Sequence, residues 1–205
     1  MNILIRDHRP EDAKQIADVY RDSYGGLRVS KGGQHPDSMV DKEISKSDEE
    51  LFSYLKSDSS LVVAEVQETN EIVGFGALKF NFLNSLIKSA YSKSHYVKKT
   101  YQGGKKGVSV GRLLRQATID KAKKLGFRKI YGYTLEAVAF HKKFGAVFYP
   151  AYNSPPNDYG ISLNYYEIIL QKSFWNKFHV EPYFSELSSL AKLYVMMLKK
   201  FRKKS

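Results

Sequence analysis

The residues best suited to chemistry in this sequence form a glycine-rich basic loop at residues 102–112, which reads Gln-Gly-Gly-Lys-Lys-Gly-Val-Ser-Val-Gly-Arg. Apolar residues recur at helical spacing from Val110 to Leu125, so the loop is predicted to lead into a helix that ends at Gly126. The first turn of a helix has N–H groups without an intrahelical partner and a partial positive charge. Glycines let a ligand approach this backbone, and Lys and Arg add full charges. The loop is therefore predicted to hold an anion such as a pyrophosphate, the alternative being an ordinary surface turn.

Two common nucleotide-binding motifs do not fit this loop. A P-loop requires G-x-x-x-x-G-K-[ST], but no two glycines here have that separation, and no Lys-Ser or Lys-Thr pair follows them. The dinucleotide fingerprint requires G-x-G-x-x-G inside a parallel βαβ unit, and the glycines lack that spacing as well. Anion binding at this loop must therefore rest on another arrangement.

A second segment, at residues 137–146, can be compared with known families together with the loop. After a strand pattern at residues 129–134, residues 137–146 read Ala-Val-Ala-Phe-His-Lys-Lys-Phe-Gly-Ala. Together the two segments resemble the acetyl-CoA-binding core of the GCN5-related N-acetyltransferases (the GNAT family). In that family an Arg/Gln-x-x-Gly-x-Gly/Ala loop begins the central helix, and an A-x-x-F-Y-x-K-x-G-F segment forms the next one. Here Lys106 replaces Arg/Gln, Ser109 replaces a Gly, and His141 replaces the Tyr.

This resemblance implies a fold and an acetyl donor. The fold class would be α/β (α+β), with a GNAT-like mixed, mostly antiparallel sheet flanked by helices over residues 1–172. The donor would be acetyl-CoA (coenzyme A), and the enzyme would transfer the acetyl group directly to a primary amine of a small-molecule or peptide acceptor. The positions that match the family's cofactor-binding segments are Val97, Lys106, Gly107, Val108, Ser109, Val110, Gly111, Arg112, Ala137, Phe140 and Lys143.

The general base is the first open question. In the family, the strand before the loop separates from its neighbour, and many relatives place on it a carboxylate that removes the proton of the amine. This chain has no Asp or Glu between Glu71 and Asp120. His95 is the imidazole on that strand, and its ordinary pKa of about 6.5 suits a base at neutral pH. A packing role for His95, a carboxylate from elsewhere such as Glu65 or Glu136, and a water relay are the alternatives.

The general acid is the second open question. The resemblance implies that the Tyr of the second segment protonates the departing thiolate, and His141 occupies its place. An imidazolium can donate a proton at neutral pH. The surrounding positive charge would, however, lower the pKa of His141 and leave it neutral. His141 is therefore a predicted catalytic residue, with a simple contact role as the alternative.

The remaining elements follow from hydrophobic periodicity. The predicted strands are residues 2–6, 60–67, 72–80, 94–98, 129–134, 146–150 and 165–172, the second and third forming a hairpin. The predicted helices are residues 10–24, 47–55, 110–125 and 137–144. Residues 81–92 fit either a helical turn or a looped extension, and the polar residues 27–46 are assigned no element.

The tail, residues 173–205, is predicted as a separate C-terminal amphipathic basic helix. From Phe184 to Phe201 its apolar residues repeat at helical spacing, and the end is rich in Lys and Arg. The helix is expected to pack on the domain or on a partner subunit, which would make a homodimer. Binding to an anionic membrane surface is the third interpretation, which Glu181 and Glu186 weaken.

Composition restricts the function further. The chain has no Cys, which excludes a disulfide scaffold, a Cys-ligated zinc site and an acyl-enzyme on sulfur, and no metal site is predicted. Between Lys93 and Lys129 there are 12 Lys and Arg residues against one acid, so this segment supplies most of the net charge of +12. Such a charge suits the phosphates of coenzyme A, and it equally suits a nucleic acid. No nucleic-acid-binding motif accompanies it, however.

Neither a signal peptide nor an apolar run of the about 18–20 residues needed to cross a bilayer is present, so a cytoplasmic protein is expected. Two other functions stay open. A non-catalytic acyl-CoA-binding or regulatory domain is favoured by the missing strand carboxylate and by His141. A basic nucleic-acid-binding protein is favoured by the charge alone.

Overall fold

The computed structural model describes residues 1–56, 59–104, 107–135, 137–173, 176, 179 and 181–183. The strands are β1 (Ile3–Asp7), β2 (Ser59–Val66), β3 (Glu71–Lys79), β4 (Ser89–Val97), β5 (Lys129–Thr134), β6 (Val147–Phe148) and β7 (Asn164–Ile169). The helices are α1 (Ala13–Tyr24), α2 (Asp37–Ile44), α3 (Asp48–Lys56), α4 (Phe82–Ile87), α5 (Val110–Lys124) and α6 (Val138–Lys142).

The strands form one seven-stranded sheet in the order β1-β2-β3-β4-β5-β7-β6. Every neighbouring pair is antiparallel except β4 and β5, which are parallel. The β2–β3 hairpin turns at residues 67–70, where Asn70 has a positive φ of 55°. The predicted fold class, a mixed and mostly antiparallel sheet flanked by helices, is confirmed.

The parallel pair β4–β5 opens soon after it begins. Only Ser89, Ala90 and Tyr91 of β4 pair with β5, although β4 continues to Val97. The same strand is irregular toward β3, because Ala77 pairs with Ser94 and Leu78 with Ser92, which leaves Lys93 as an extra residue. A bulge of this kind bends a strand. From Ser92 onward, one edge of β4 therefore faces a gap instead of β5.

Helices cover both faces of the sheet because the strands carry apolar residues on both sides. Val63 of β2 packs with α1, α2 and α3, while its neighbours Val62 and Ala64 belong to the cluster that includes Val110 and Leu114 of α5. The hydrophobic core is thus divided by the sheet into two layers. This sandwich fixes the N-terminus of α5 beside the last residues of β4.

The structure departs from the sequence predictions at two elements and decides an open alternative at a third. Helix α2 lies in a segment that was assigned no element, and β4 begins five residues before the predicted strand, which was placed at residues 94–98. Residues 82–87 form helix α4, the helical alternative for that stretch. Its start is fixed by a capping box in which the side chains of Asn81 and Asn84 each accept a hydrogen bond from the other's backbone N–H, both at 3.0 Å.

The predicted C-terminal helix lies outside the described residues from residue 184 onward, so the division into residues 1–172 and 173–205 stays a prediction. Two earlier residues of this segment contact the sheet. The Glu181 carboxylate forms an ion pair of 2.6 Å with buried Lys129, and His179 Nδ1 lies 2.9 Å from Glu167 Oε1. Among the helices that the structure describes, none combines the length and the apolar character needed to cross a membrane.

Candidate functional site

Two cavities meet at the gap between β4 and β5. The loop cavity, about 430 Å³, is enclosed by the end of β4, the N-terminus of α5 and helix α6. The large cavity, about 610 Å³, extends from the gap toward α1, α2 and α3. Five residues line both cavities: Ser23, His95, Gln102, Ala137 and His141. The two predicted catalytic histidines therefore stand where the cavities join.

Most of the predicted cofactor-binding residues surround the loop cavity. Those that line it are Val97, Ser109, Val110, Gly111, Ala137, Phe140 and Lys143. Gly107, Val108 and Arg112 lie in the same loop and first helical turn but are not part of its lining. Lys106 and Lys105 lie outside the described residues. Cofactor binding by these residues stays a prediction, but the fold brings seven of them around one space.

The N-terminus of α5 presents backbone donors to this cavity. The first α-helical hydrogen bond runs from Leu113 N to Ser109 O at 3.1 Å, so the N–H groups of Gly111 and Arg112 precede the intrahelical ladder. Within the described chain, the N-cap Ser109 makes no side-chain capping bond, and no acidic residue occupies the first turn. These donors and the dipole of a 15-residue helix are thus available to an anion.

Gly111 keeps this surface open. A Cβ at this position would lie 3.7 Å from Phe140 Cε2 and 3.8 Å from Val97 Cγ2, both ordinary contact distances. Its φ is not in the left-handed region, so the fold itself tolerates a side chain here. The backbone conformation therefore does not require glycine here. The lack of a side chain instead leaves space in front of the helix.

His95 is held by a backbone acceptor. Its Nε2 lies 3.0 Å from Gly111 O and must carry the proton, because a carbonyl oxygen only accepts. The lone pair is therefore on Nδ1, which is buried and has no partner among the described residues. Burial, with a further contribution from the charge of Arg115, lowers the pKa of His95 to about 3. This arrangement favours a positioning role over the base role considered from the sequence.

His141 is also neutral. It is only 5% exposed and stacks on Tyr166, with 4.3 Å between ring centroids. Burial, then the charge of Arg115, then His95, lower the pKa of His141 to about 3. The imidazolium predicted as a proton donor is therefore not the species present at neutral pH. The lowered pKa of His141 was predicted from the sequence, but it was attributed to the surrounding positive charge. In the structure burial contributes more than charge does.

A buried arginine underlies both histidines. Arg115 of α5 is fully buried, and it donates from Nη1 to Ser92 Oγ at 2.8 Å and from Nη2 to the Tyr166 hydroxyl at 3.2 Å. No salt bridge joins it to any Asp or Glu in the described part of the chain. Arg115 was not among the site residues predicted from the sequence. Its spacing to buried Ile119 and Ala122, four and seven residues later, is the signal that could have placed it on the buried face of α5.

Tyrosines dominate the large cavity. Its seven lining tyrosines are Tyr20, Tyr24, Tyr54, Tyr91, Tyr96, Tyr133 and Tyr166. Burial raises the pKa of Tyr24 to about 12 and raises those of Tyr20, Tyr91 and Tyr96 further. These phenols consequently stay neutral at physiological pH.

One carboxylate belongs to the described lining of the large cavity. It is Glu43 of α2, whose Oε2 accepts from the Tyr20 hydroxyl at 3.2 Å and from Lys46 Nζ at 2.7 Å. Glu65, a base considered from the sequence, is instead bound by Arg6, with 2.7 Å from Nε to Oε2, and it lines neither cavity. Glu136, the other, lies outside the described residues. Among the described residues, no three His, Cys, Asp or Glu side chains are grouped as metal ligands would be.

Comparison with known proteins gives a match to one family. A model of the acetyltransferase (GNAT) family matches residues 14–146, which include α1 after its first residue and the chain from β4 to α6. No curated protein sequence matches the chain.

Solved structures with the same fold are numerous. The PaiA N-acetyltransferase from Thermoplasma acidophilum, in complex with coenzyme A, is 20% identical and has a TM-score of 0.62, with 82% of this chain and 99% of that chain covered. A GCN5-related N-acetyltransferase from Rhodopseudomonas palustris is 22% identical with a TM-score of 0.63, covering 83% and 97%. YncA from Salmonella typhimurium, with acetyl-CoA, is 16% identical with a TM-score of 0.61, covering 84% and 96%. At these identities the likeness establishes the fold.

Proposed function

Since the chain belongs to the acetyltransferase (GNAT) family, we propose that it transfers an acetyl group from acetyl-CoA directly to a primary amine. The observation that carries this proposal is the pair of cavities that meet at the opening between β4 and β5. One cavity is suited to a phosphate-bearing donor, and the other is large enough for a separate acceptor. A direct transfer requires both substrates at one junction. The chain has no Cys, which excludes the alternative of an acyl intermediate on sulfur.

The residues of the loop cavity fit coenzyme A. The uncapped N–H groups of Gly111 and Arg112 would bind the diphosphate at the positive end of α5, and exposed Lys143 adds a cation at the rim. The edge of β4 from Ser92 to Val97, which β5 does not pair, offers backbone groups to the amides of the pantetheine arm. Two relatives of the same fold are described with coenzyme A or acetyl-CoA, which supports this assignment. Acetyl-CoA supplies the activated acyl group as a thioester.

The large cavity would hold the acceptor. A primary amine is mostly protonated at neutral pH, and Glu43 is the one carboxylate of the described lining that can attract it, although its Oε2 is already paired with Lys46. Tyrosine faces also favour a cation through their π-systems. We therefore assign to Glu43 the binding of the ammonium group and the acceptance of its proton, directly or through water. His95, with its lone pair on a buried nitrogen, is assigned to positioning.

Two observations favour a second candidate, a non-catalytic acyl-CoA-binding or regulatory domain. No carboxylate lies on β4, and His141 is neutral where the family has its Tyr. Such a domain would bind acetyl-CoA in the same loop cavity but would not transfer the acetyl group. The two functions differ only in turnover.

The test is turnover with a panel of primary amines, scored by release of free thiol and by the mass of the acetylated product. Acetylation of at least one amine at a rate that depends on protein concentration is the expected result. Binding of acetyl-CoA without thiol release for any amine would support the binding domain. Salt-sensitive binding to DNA or RNA, with no response to acetyl-CoA, would overturn both candidates and support the nucleic-acid alternative.

A further inference from the structure

Arg115 is a buried cation whose partners are neutral. Its side chain is fully buried, its two bonded nitrogens donate to the hydroxyls of Ser92 and Tyr166, and its Nε has no partner among the described residues. Burying a charge without a counter-ion is costly, and the cost is relieved when negative charge develops nearby. Arg115 is thus placed where a transient anion would be stabilised.

The two hydroxyls that accept from Arg115 are themselves unused as donors. A hydroxyl that accepts a hydrogen bond still has its own hydrogen to give. Ser92 Oγ and the Tyr166 hydroxyl find no acceptor in the described part of the chain, and both residues line the large cavity. Arg115 therefore orients and polarises two donors whose hydrogens are available to a bound molecule.

These donors lie where β4 and β5 begin to separate. Ser92 is the first residue of β4 beyond the last pair with β5. Tyr166 of β7 reaches this point by crossing Gly132 of β5, where a Cβ would lie only 2.8 Å from the Tyr166 hydroxyl oxygen and 3.2 Å from Ser92 Cβ. His141, which lines both cavities, stacks on the Tyr166 ring. The donor pair therefore lines the large cavity, beside His141 at the junction with the loop cavity.

We propose that Tyr166 and Ser92, polarised by Arg115, form a donor pair for the sulfur of the leaving thiolate, and that Tyr166 is the group that protonates it. This inference rests on the proposed function, and it assigns to Tyr166 the role that neutral His141 does not perform. Tyr166 gives its hydroxyl proton to sulfur as the carbon–sulfur bond breaks and its electron pair passes to sulfur. The phenolate formed stays hydrogen-bonded to Arg115 and regains a proton from the acceptor nitrogen, the second that this nitrogen loses, because Glu43 takes the first before the attack. Arg115 acts through Tyr166 and Ser92 and is a positioning residue.

The test measures the thiol pKa of bound coenzyme A, which does not depend on turnover. Coenzyme A labelled with ¹³C at the carbon bonded to sulfur is titrated by NMR, free and bound to each variant. In the wild-type protein, the bound thiol is expected to have a pKa lowered by about one unit or more, because donors backed by a cation favour the thiolate. Tyr166→Phe, Ser92→Ala and Arg115→Met should each raise the bound thiol pKa toward that of free coenzyme A, and Arg115→Lys should retain part of the effect.

Tyr133→Phe is the matched control, since Tyr133 lines the same cavity but does not contact Arg115. It should leave the thiol pKa unchanged. Once a reactive amine is known, Tyr166→Phe should lower kcat by about 10²-fold, the size typical of a lost general acid, with an unchanged KM for acetyl-CoA.

The outcomes separate this inference from the proposed function. If coenzyme A does not bind to the wild-type protein, the proposed function fails and the inference fails with it. If coenzyme A binds but Tyr166→Phe leaves its thiol pKa as in the wild type, this inference alone is overturned. Ser92→Ala and Tyr166→Phe provide the answer even if Arg115→Met does not fold.

Discussion

Two replacements of Gly111 test separately what the fold requires and what the ligand requires: Ala tests stability, and Glu tests binding. The side chains nearest to an added Cβ are Phe140 and Val97, at 3.7 and 3.8 Å, and the backbone φ is compatible with Ala. Because Ala loses less backbone entropy than Gly in a helix, stability should rise by about 0.5–1 kcal/mol. In a protein of this size, that corresponds to an increase in Tm of roughly 1–4 °C.

Coenzyme A binding should weaken in the Glu variant. The family pattern accepts Ala at this position, so the binding test uses Gly111→Glu, whose carboxylate would compete with the diphosphate for the backbone donors assigned to it. Loss of one charge-assisted hydrogen bond, about 1.5–3 kcal/mol, should weaken binding by about 10- to 100-fold. Thermal unfolding of the free protein and isothermal titration calorimetry with acetyl-CoA measure the two effects, on the Ala and Glu variants respectively.

Gly126→Ala is the control because it should show the reverse pattern. Gly126 ends α5 with a φ of +79°, a left-handed conformation that costs Ala about 1 kcal/mol, and it lies outside both cavities. Its Tm should fall, while its affinity for acetyl-CoA should stay that of the wild type. A Gly111→Glu protein that still binds acetyl-CoA as tightly as the wild type would show that the diphosphate does not bind at these donors.

Three further predictions concern titratable side chains of the site and the core. The pKa of His141 is about 3 in the folded state against about 6.5 unfolded, so the unfolded state gains the proton first on acidification, and His141 should cost about 2 kcal/mol of stability between pH 7 and pH 5. Urea unfolding at both pH values should show that His141→Phe removes this part of the loss, and an unchanged pH dependence would contradict the burial argument. Glu43→Gln should raise KM for the amine by about 10-fold and lower kcat by about 10²-fold, because ammonium binding and proton acceptance are both assigned to Glu43, and it should leave acetyl-CoA binding unchanged. Exposed Glu49→Gln should change none of the three; equal effects of the two variants would exclude a role for Glu43. Lys129→Met should destabilise the protein by about 3–5 kcal/mol in denaturant unfolding, because the carboxylates of Glu167 and Glu181 are left buried without their cation. Glu181→Gln added to Lys129→Met should restore part of that loss, and full stability of the single variant would show that the ion pairs do not form.

Local patterns were sufficient for the elements with strong periodicity. The strand predicted at residues 129–134 coincides with β5, and α5 ends at Lys124, with the predicted stop Gly126 directly after its C-cap residue. These elements have regular apolar spacing and a glycine stop. Helix α2 was missed because Pro36 and the glycines before it indicate a loop, and its apolar face contributes only Val40 to the buried core.

The buried face of α5 shows where periodicity is insufficient. From the spacing of apolar residues, Leu125 was assigned to the buried face of α5 and Arg115 was not. In the structure Leu125 is 44% exposed and Arg115 is fully buried. An Arg inside a segment with many Lys residues indicates a solvated surface unless its spacing to other buried positions is weighed. Its partners Ser92 and Tyr166 lie 23 and 51 residues away, so only the folded sheet brings them together.

The central claim is that the gap between β4 and β5 receives the acetyl donor. A crystal structure of the protein with acetyl-CoA tests it most directly. In that structure, we expect the diphosphate to lie within hydrogen-bonding distance of the backbone N–H groups of Gly111 and Arg112. We expect the acyl arm to lie along the unpaired edge of β4. Acetyl-CoA bound at another surface, or a gap closed by the protein's own side chains at saturating acetyl-CoA, would contradict it.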